Sequence, residues 1–294
     1  MKGRVADRLV PLRIAVASGK GGTGKTTVAV SLALATRGLG PVTLVDCDVE
    51  EPNAHLFLAP KIVQKEEVAI PVPQVDEGTC AYCGACARAC RYGALAVIGR
   101  KVLFHPELCH GCGLCARVCP ASAIAEVPRP IGRIERGLAK GICLWQGVLN
   151  PGEPMATPVI RALKRKLSDQ GLTVLDAPPG TGCPMIETLK GASYVLLVTE
   201  PTPFGLHDLK LALGVTRELG LPTGVVISKD GIGTDELDHY LEGEGVPVLL
   251  RIPMDRRIAE GYARGTPLVE ALPEWEAGFT QLAQAILAQL KAGS

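Results

Sequence analysis

A glycine-rich stretch near the start of the chain has the residue types and spacing needed to hold a phosphate. Residues 18–27 read SGKGGTGKTT, and positions 19–26 fit the pattern G-x-x-x-x-G-K-[ST]. Glycines leave the backbone N–H groups free to curl around an anion, because no side chain blocks them and positive φ angles are permitted. The pattern directs Lys25 to the β- and γ-phosphates and the Thr26 hydroxyl to a magnesium ion. We therefore expect a nucleotide site here.

A block of cysteines is the second group that indicates chemistry. Eight of the eleven cysteines fall between Cys80 and Cys119, in two copies of C-x₂-C-x₂-C-x₃-C offset by 29 residues. Nine of the 18 aligned positions of 80–97 and 109–126 are identical. Soft thiolate ligands favour iron–sulfur clusters, zinc or copper(I). The close spacing is typical of iron–sulfur ligation, and zinc is the alternative, although zinc sites more often use separated C-x₂-C pairs or histidines.

Apolar runs typical of buried strands alternate with helical patterns on both sides of the cysteine block. This alternation predicts an α/β fold with a doubly wound, mostly parallel sheet. The phosphate-loop motif after the first strand makes the expected fold that of a P-loop NTPase. It stops before the cysteines and resumes after Pro158, so the block is predicted to be an inserted small α+β domain. The expected division is residues 1–70 and 128–294 for the nucleotide domain and 71–127 for the insertion, entered through an irregular linker from Pro60 to Gly78.

The predicted elements can be given with their bounds. The expected strands are Leu12–Ala17, Val42–Val45, Thr173–Ala177, Tyr194–Thr199, Thr223–Ile227 and Val246–Ile252. The expected helices are Thr26–Arg37, a short one within Glu50–Leu58, Val159–Leu167, Leu206–Leu219, Asp235–Glu242 and Glu274–Leu290.

Composition limits the classes of partner. A net charge of +1 and an aromatic content of 4% give no support for binding to nucleic acid or to an anionic membrane. There is no run of 18 apolar residues that would cross a bilayer. The first residues lead into the first strand without the apolar core of a signal peptide. We therefore expect a cytoplasmic protein without stable membrane insertion.

The phosphate loop resembles that of a particular ATPase family. Lys20 follows the first glycine and gives K-G-G-T-G-K-T, which resembles the deviant P-loop ATPases, the family of MinD, ParA, nitrogenase iron protein and the Mrp-type ATPases. The resemblance covers nearly the whole chain. It implies that Lys20 reaches across a dimer interface to the nucleotide of the partner subunit, in a homodimer or a heterodimer with a paralogue. A solvated surface lysine is the ordinary alternative.

Two strand ends with aspartates extend the match. Residues 44–48, LVDCD, resemble the switch I strand end, and residues 174–182, VLDAPPGTG, resemble Walker B and switch II. The resemblance places Asp48 near the γ-phosphate, where it would orient or deprotonate the attacking water. It implies that Asp46 and Asp176 support Mg²⁺ together with Thr26. A helix cap or a turn is the ordinary alternative for each aspartate.

The residues that the resemblance directs to ATP or ADP lie in three segments. Ser228 stands where the family usually has an asparagine that reads adenine, and Pro253 and Asp255 lie in a segment resembling the adenine-side loop, so the choice of ATP over GTP is left open. The phosphate-loop contacts are expected from Gly19, Gly21, Gly22, Thr23, Gly24, Lys25, Thr26 and Thr27, and the catalytic residues are Lys20, Lys25 and Asp48.

Each cysteine repeat also resembles the ligand run of bacterial ferredoxins. Pro120 follows the last cysteine of the second copy, as in that family, whereas Arg91 stands in the first. In that fold the fourth cysteine of each run ligates the other cluster. The resemblance therefore implies two [4Fe–4S] clusters, one held by Cys80, Cys83, Cys86 and Cys119 and the other by Cys109, Cys112, Cys115 and Cys90.

The three remaining cysteines and the last helix have ordinary interpretations. Cys47 is expected to be a buried small hydrophobe, Cys143 has no assigned role, and Cys183, next to switch II, is weak evidence for a bridging cluster. Only Lys291 is basic near the end of the last helix, so its apolar face is expected to dock on the sheet rather than on a membrane. That face comprises Trp275, Phe279, Leu282, Ile286 and Leu290.

Together these observations predict a Mg²⁺-dependent, partner-stimulated ATPase whose nucleotide switch controls electron transfer through two [4Fe–4S] clusters to a redox partner. Two alternatives remain open at this point. One is a carrier or scaffold that delivers clusters to apo-proteins, as Mrp-type relatives suggest. The other is a regulatory MinD/ParA-like ATPase whose clusters sense redox state.

Overall fold

The computed structural model describes residues 12–168 and 170–292. The expectation about a signal peptide falls on the first 11 residues and lies outside this range. The strands are β1 (Leu12–Ala17), β2 (Val42–Asp46), β3 (Lys61–Val75), β4 (Leu95–Ile98), β5 (Lys101–Phe104), β6 (Ile124–Ala139), β7 (Ile142–Leu149), β8 (Leu172–Asp176), β9 (Tyr194–Thr199), β10 (Thr223–Asp230) and β11 (Val248–Pro253). The helices are α1 (Lys25–Thr36), α2 (Ala54–Leu58), α3 (Ala85–Ala89), α4 (Leu114–Arg117), α5 (Thr157–Lys164), α6 (Cys183–Leu189), α7 (Pro203–Glu218), α8 (Glu236–Gly243), α9 (Arg256–Ala263), α10 (Leu268–Ala271) and α11 (Trp275–Ala292).

A large sheet organises the molecule, with strand order β11-β10-β9-β1-β8-β2-β7-β6-β3. The strands from β11 to β7 are parallel, so their carboxyl ends meet at one edge. β1 lies near the centre, between β9 and β8, and the phosphate loop follows it directly. The expected α/β class with a mostly parallel sheet is confirmed. Such an edge is where open α/β sheets bind ligands.

Helices cover both faces of this sheet. One buried cluster packs residues of α5, α6, α7 and α8 on the sheet, and another packs α1, α10 and α11 on the opposite face. In α11, Phe279, Leu282 and Ile286 are fully buried, so the expectation that this helix docks on the sheet domain is confirmed. Among the described residues, no helix has the length and apolar character required to span a bilayer.

The expected irregular linker from Pro60 to Gly78 is wrong. β3 instead pairs antiparallel with β6 from Lys61–Leu138 to Val75–Ile124, forming a long two-stranded ribbon at the edge of the sheet. The prolines in this part of the sequence predict irregular structure, but their positions are compatible with strands. Pro71 and Pro73 lie on the edge strand, and Pro128 and Pro130 precede the part of β6 that pairs with β7, which begins at Gly132.

The cysteine motifs lie at the end of this ribbon. We call residues 76–123 the cysteine segment; it lies inside the expected range 71–127. It contains the hairpin β4–β5 and the short helices α3 and α4. Cys86 and Leu95 of this segment form a small core with Ile124, the first residue of β6, and Val97 and Val102 pack against it. The ribbon is therefore the connection between the sheet and the cysteines.

Candidate nucleotide site and cysteine cavities

The phosphate loop spans the gap between β1 and α1. Gly22 and Gly24 have φ angles of 76° and 90°, which favour glycine. A Cβ on Gly21, Gly22 or Gly24 would meet no atom within 4 Å, so each of these glycines faces open space. A Cβ on Gly19 would lie 2.2 Å from the backbone oxygen of Asp208 in α7. Because Gly19 has no side chain, α7 can pack directly against the phosphate loop.

Lys25 begins α1 and lies among carboxylates at the strand ends. It is 7% exposed, and burial lowers its pKa, while the charges of Asp176 and Asp48 act in the opposite direction. Lys25 is the cation that the loop pattern requires at the phosphates. Its burial means that a bound anion would meet a poorly hydrated ammonium group, which strengthens the attraction.

Asp176 has the properties of a cation ligand. It ends β8 next to Val16 of β1 and Asp46 of β2. Both carboxylate oxygens are buried without a hydrogen-bond partner. Burial and the charge of Asp46 raise its pKa, whereas the neighbouring Thr26 side chain and the Lys25 charge lower it. A buried carboxylate beside a hydroxyl fits Mg²⁺, which binds through one or two carboxylates plus phosphates and waters.

The Asp46 carboxylate accepts hydrogen bonds from backbone N–H groups. Its carboxylate accepts from the backbone N–H of Asp48 at 3.1 Å and from those of Asn53 and Ala54 at 2.9 Å each. Burial raises its pKa to about 7, and these hydrogen bonds oppose the rise. Asp46 therefore shapes the loop that follows β2 and the start of α2. Support of Mg²⁺ by Asp46 stays a prediction.

Asp48 is half-buried at the mouth of the same site. Burial raises its pKa, and the backbone N–H of Glu51 and the charge of Lys25 oppose that effect. Asp48 and Lys25 are far apart along the chain but come together because β8 lies between β1 and β2, so the loops after these parallel strands meet at one edge of the sheet. The structure thus brings together Lys25, Asp46, Asp48 and Asp176, as the sequence argument requires.

Two residues that sequence reasoning did not assign to the site, Glu200 and Lys229, also lie at the phosphate loop. The Lys20 ammonium donates to Glu200 Oε2 at 3.0 Å. Lys229 donates to the other Glu200 oxygen and, at 3.3 Å, to the carbonyl oxygen of Gly22. Glu200 is 7% exposed, so this is a buried carboxylate shared by two lysines. The pairing joins residues 180 positions apart, and no local pattern in the sequence signals it.

The two base-side segments are neighbours, because β10 and β11 pair at Asp230 and Pro253. Ser228 is buried, and its hydroxyl donates to the carbonyl oxygen of Thr199 at 3.0 Å. Asp255 caps α9 by accepting the Arg257 backbone N–H at 2.8 Å. Both side chains thus have a structural hydrogen bond, and a contact of Ser228, Pro253 or Asp255 with a base stays a prediction.

The cysteine segment contains two separate cavities. They have about 350 and 400 Å³ of empty space, counting the solvent at their mouths. Cavity 1 is lined by Cys80, Cys83, Cys86 and Cys119. Cavity 2 is lined by Cys90, Cys109, Cys112 and Cys115. Each cavity therefore gathers three cysteines of one repeat and the fourth cysteine of the other.

The thiols surround these cavities rather than converge on a point. All eight are free cysteines. Across residues 12–168 and 170–292, no three His, Cys, Asp or Glu side chains are close enough to share a single metal ion. A tetrahedral zinc ion requires its sulfur ligands at about 2.3 Å from one centre. Four thiols around an open cavity fit a multi-iron cluster, in which the cluster itself occupies the middle.

The other three cysteines differ in exposure. Cys47 is fully buried, as expected for a small hydrophobe, and burial raises the pKa of its thiol. Cys143 is partly buried and accepts from Arg136 Nε at 3.4 Å. Cys183 is exposed at the start of α6. A lone exposed thiol assigns no site.

Comparison with known proteins agrees with the nucleotide site. A family model described as the CobQ/CobB/MinD/ParA nucleotide binding domain matches residues 14–268. An uncharacterized protein from Methanocaldococcus jannaschii is 33% identical, over 86% of this chain and 89% of that protein. An iron–sulfur cluster carrier protein from Pyrococcus horikoshii is 26% identical, over 95% of this chain and 86% of that protein.

Among solved structures, the septum site-determining protein MinD complexed with Mg-ADP from Pyrococcus horikoshii shares the fold. The TM-score is 0.57 at 23% identity, with 94% of this chain and 96% of that chain covered. The phosphate loop, the aspartates at the neighbouring strand ends and the match over residues 14–268 lead to one conclusion. The chain belongs to the CobQ/CobB/MinD/ParA family of nucleotide-binding domains.

Proposed function

We propose that this protein is a Mg²⁺-dependent ATPase in which the nucleotide state controls electron transfer through two [4Fe–4S] clusters to a redox partner. The observation that carries the proposal is the crossed lining of the two cavities, four cysteines to each, in a segment mounted on the sheet that bears the phosphate loop. A nucleotide site and a pair of cluster sites in one chain call for a function that uses both.

The residues of the nucleotide site have distinct proposed roles. The open backbone of the loop and Lys25 bind the β- and γ-phosphates of ATP, and Lys20 adds a second cation from a partner subunit. Thr26 and Asp176 hold Mg²⁺, which when bound neutralises charge on the phosphates. Asp48, at the mouth of the site, orients the attacking water and takes its proton.

Switch I connects this site with the ribbon. Asp46 holds the backbone of Asn53 and Ala54, where α2 begins, and β3 follows α2 after two residues. On the other side, the Leu149 N–H at the end of β7 donates to the Val49 carbonyl oxygen at 2.7 Å. A change of switch I with the γ-phosphate would therefore act on both strands that flank β6. This is the proposed route from nucleotide state to the cysteine segment.

The cavities favour resident clusters over cargo. Cys86 and Cys109 are each 9% exposed and belong to buried clusters of apolar side chains. Ligands held in a core cannot be exchanged for those of another protein without opening that core. Clusters bound there would each store one electron. The protein would position the clusters, surround them with apolar side chains and provide the surface on which a partner docks.

A second candidate is delivery of clusters to apo-proteins, which the names of several relatives favour. Relatives from Aquifex aeolicus, Pyrococcus and Synechocystis bear the name iron–sulfur cluster carrier protein, at 24–26% identity. In this chain, Cys83 in cavity 1 and Cys112 in cavity 2 are exposed and would give an acceptor thiol its point of attack.

The deciding experiment uses full-length protein purified without oxygen, with its iron and acid-labile sulfide measured first. The reduced protein is mixed with a one-electron viologen acceptor, with ATP, ADP or no nucleotide, and separately with an apo-ferredoxin after labelling with radioactive iron. If the proposal is correct, ATP changes the rate at which the viologen is reduced, and the radioactive iron stays in this protein. Label moving to the apo-protein in an ATP-dependent way would favour the carrier. Acceptor reduction that is indifferent to nucleotide would favour a redox-sensing ATPase.

A further inference from the structure

The two cavities are related by the sequence repeat but have opposite charges at equivalent places. Gly84 and Gly113 are equivalent at the 29-residue offset, and both have positive φ angles, of 74° and 71°. The atom nearest to a Cβ built on Gly84 is Arg88 Nη1, at 2.9 Å. The atom nearest to a Cβ on Gly113 is Glu126 Oε1, also at 2.9 Å. One glycine therefore faces a cation and the other an anion.

The anion at cavity 2 arises from one departure in the repeat. Glu126 is the repeat equivalent of Val97, and each lines a cavity: Val97 lines cavity 1 and Glu126 lines cavity 2. A second equivalent pair, Leu95 and Ile124, is apolar in both cavities. The exchange of valine for glutamate is thus a local change in charge within otherwise similar linings.

Cations lie on the side of cavity 1. The Arg88 guanidinium donates to the Cys83 carbonyl oxygen at 3.0 Å, which fixes its charge beside an exposed cysteine. Arg100 lies over the ring of Tyr82, another lining residue, at 5.7 Å from its centroid. Neither arginine forms an ion pair within 4 Å among the described residues.

Hydrogen bonds to sulfur act in the same direction. The backbone N–H of Tyr82 donates to Cys80 Sγ at 3.4 Å, and that of Ala123 donates to Cys119 Sγ at 3.3 Å. Both sulfurs line cavity 1. The reduction potential of an iron–sulfur cluster depends on net charge, hydrogen bonds to its sulfurs and solvent exposure. Cations and N–H donors stabilise the added electron, and a carboxylate destabilises it.

On the basis of the proposed function, we propose that the two cluster sites are electrostatically inequivalent: Glu126 makes cavity 2 the low-potential site and Arg88 makes cavity 1 the high-potential site. An electron delivered by a low-potential one-electron donor then passes from the cluster in cavity 2, which is oxidised, to the cluster in cavity 1, which is reduced. The electron rests beside Cys83, at the rim that carries Arg88 and Arg100.

The test is a redox titration of full-length protein purified without oxygen, followed by electron paramagnetic resonance of the reduced clusters. The variants are Glu126→Gln, Glu126→Val and Arg88→Gln. Arg117→Gln is the matched control, because Arg117 is the repeat equivalent of Arg88 but is not the group nearest to Gly113. Unfolding temperature and iron content are measured for each variant.

We expect the lower midpoint potential, that of cavity 2, to rise in both Glu126 variants. We expect the higher midpoint potential, that of cavity 1, to fall in Arg88→Gln. Because Glu126 is exposed, the expected shift in the distribution of the electron between the sites is tenfold or less, which is about 59 mV or less for a one-electron couple. Arg117→Gln should move neither potential. Two equal potentials, or a Glu126 variant that leaves the lower potential unchanged at full iron content, would overturn the inference alone. Purified protein without cluster iron would overturn the proposed function and this inference with it.

Discussion

The Lys20 ammonium lies 3.0 Å from the Glu200 carboxylate, so the lysine that we propose to reach a partner subunit's nucleotide is held within its own chain. Burial opposes the ionisation of Glu200, but hydrogen bonds from Lys229 and Lys20 outweigh it and lower its pKa. Lys229 also contacts Gly22 of the phosphate loop. The proposed movement of Lys20 toward a second subunit would therefore cost one ion pair and leave Glu200 with Lys229.

The first prediction concerns this ion pair. Glu200→Gln should lower the ATP concentration needed for dimerisation by about three- to tenfold, because a charged hydrogen bond worth about 1 kcal/mol no longer restrains Lys20. Lys20→Ala should abolish ATP-dependent dimerisation and keep binding of ADP. Sedimentation velocity at a series of ATP concentrations measures both effects. Glu244→Gln, which removes a surface pair with Arg217, is the control. Weaker dimerisation of Glu200→Gln, in parallel with a lower unfolding temperature, would show that Glu200 is only structural.

The second prediction separates packing from ligand binding within the phosphate loop. Gly19→Ala should lower the unfolding temperature by several degrees, because its Cβ would meet the Asp208 backbone at 2.2 Å. Gly21→Ala meets no atom within 4 Å, so it should keep the unfolding temperature and lose nucleotide affinity tenfold or more. Thermal unfolding and titration with a fluorescent ADP measure the two quantities. Unchanged affinity in Gly21→Ala would contradict the assignment of this loop.

The third prediction uses the unpartnered carboxylate of Asp176. Its raised pKa means that the folded chain holds a proton more tightly than the unfolded chain, so its contribution to stability falls as the pH rises above the unfolded pKa. In EDTA at pH 8, Asp176→Asn should therefore be more stable than the natural chain, by about 1–3 kcal/mol. Added Mg-ADP should raise the unfolding temperature of the natural chain far more than that of the variant. Asp238→Asn, at a partly exposed pair with Arg251, should behave like the natural chain in both conditions.

The fourth prediction tests the crossed cysteine sets. Cys119→Ser and Cys90→Ser should each reduce the iron content from about eight to about four per chain, because each removes one [4Fe–4S] cluster. Adding Cys80→Ser to Cys119→Ser should cause no further loss, since both thiols line cavity 1. Combining Cys119→Ser with Cys90→Ser should remove all cluster iron. If Cys80→Ser with Cys90→Ser retained half of the iron, the sets would not be crossed.

The fifth prediction concerns the stability of the ribbon. Glu135 on β6 is 5% exposed; burial opposes its ionisation, but hydrogen bonds from Arg133, Gln146 and Lys65 lower its pKa to about 2. Its contribution is therefore full above the usual pKa of 4.5 and is lost as the pH falls toward 2. Glu135→Gln should lose up to about 3 kcal/mol of unfolding free energy at pH 7, and the difference should vanish near pH 2. Urea unfolding at several pH values measures it, with the exposed Glu67→Gln as control.

The sequence was sufficient where function depends on short, contiguous patterns. The phosphate loop, the strand ends at Asp46 and Asp176 and the alternation of strands and helices all follow from local composition, and the sheet has the predicted class. The gathering of four cysteines at each cavity was expected only through resemblance to ferredoxins. Spacing alone does not state which repeat supplies the fourth thiol.

Two features were beyond the sequence for physical reasons. Pro71 and Pro128 are poor strand residues and therefore predict a linker, and only the sheet order shows that they lie outside the pairing with β7. The role of Glu200 depends on contacts with Lys20 and Lys229, which lie far away along the chain. Neither edge position nor long-range ion pairing leaves a periodic signal in the sequence.

The pairing of Val75 with Ile124 has a consequence for the history of the chain. Because both ends of the cysteine segment leave the ribbon side by side, a single insertion or excision at that point would add or remove the whole segment without reordering the sheet. A two-residue Asn-Gly turn could close the ribbon in its place. Val68, Ile70 and Val72 form an apolar face of β3 that is buried in this molecule. Loss of the segment would require a change in this face wherever it became exposed. The cysteine segment thus joins the rest of the chain at one place, where its two ends leave the ribbon side by side.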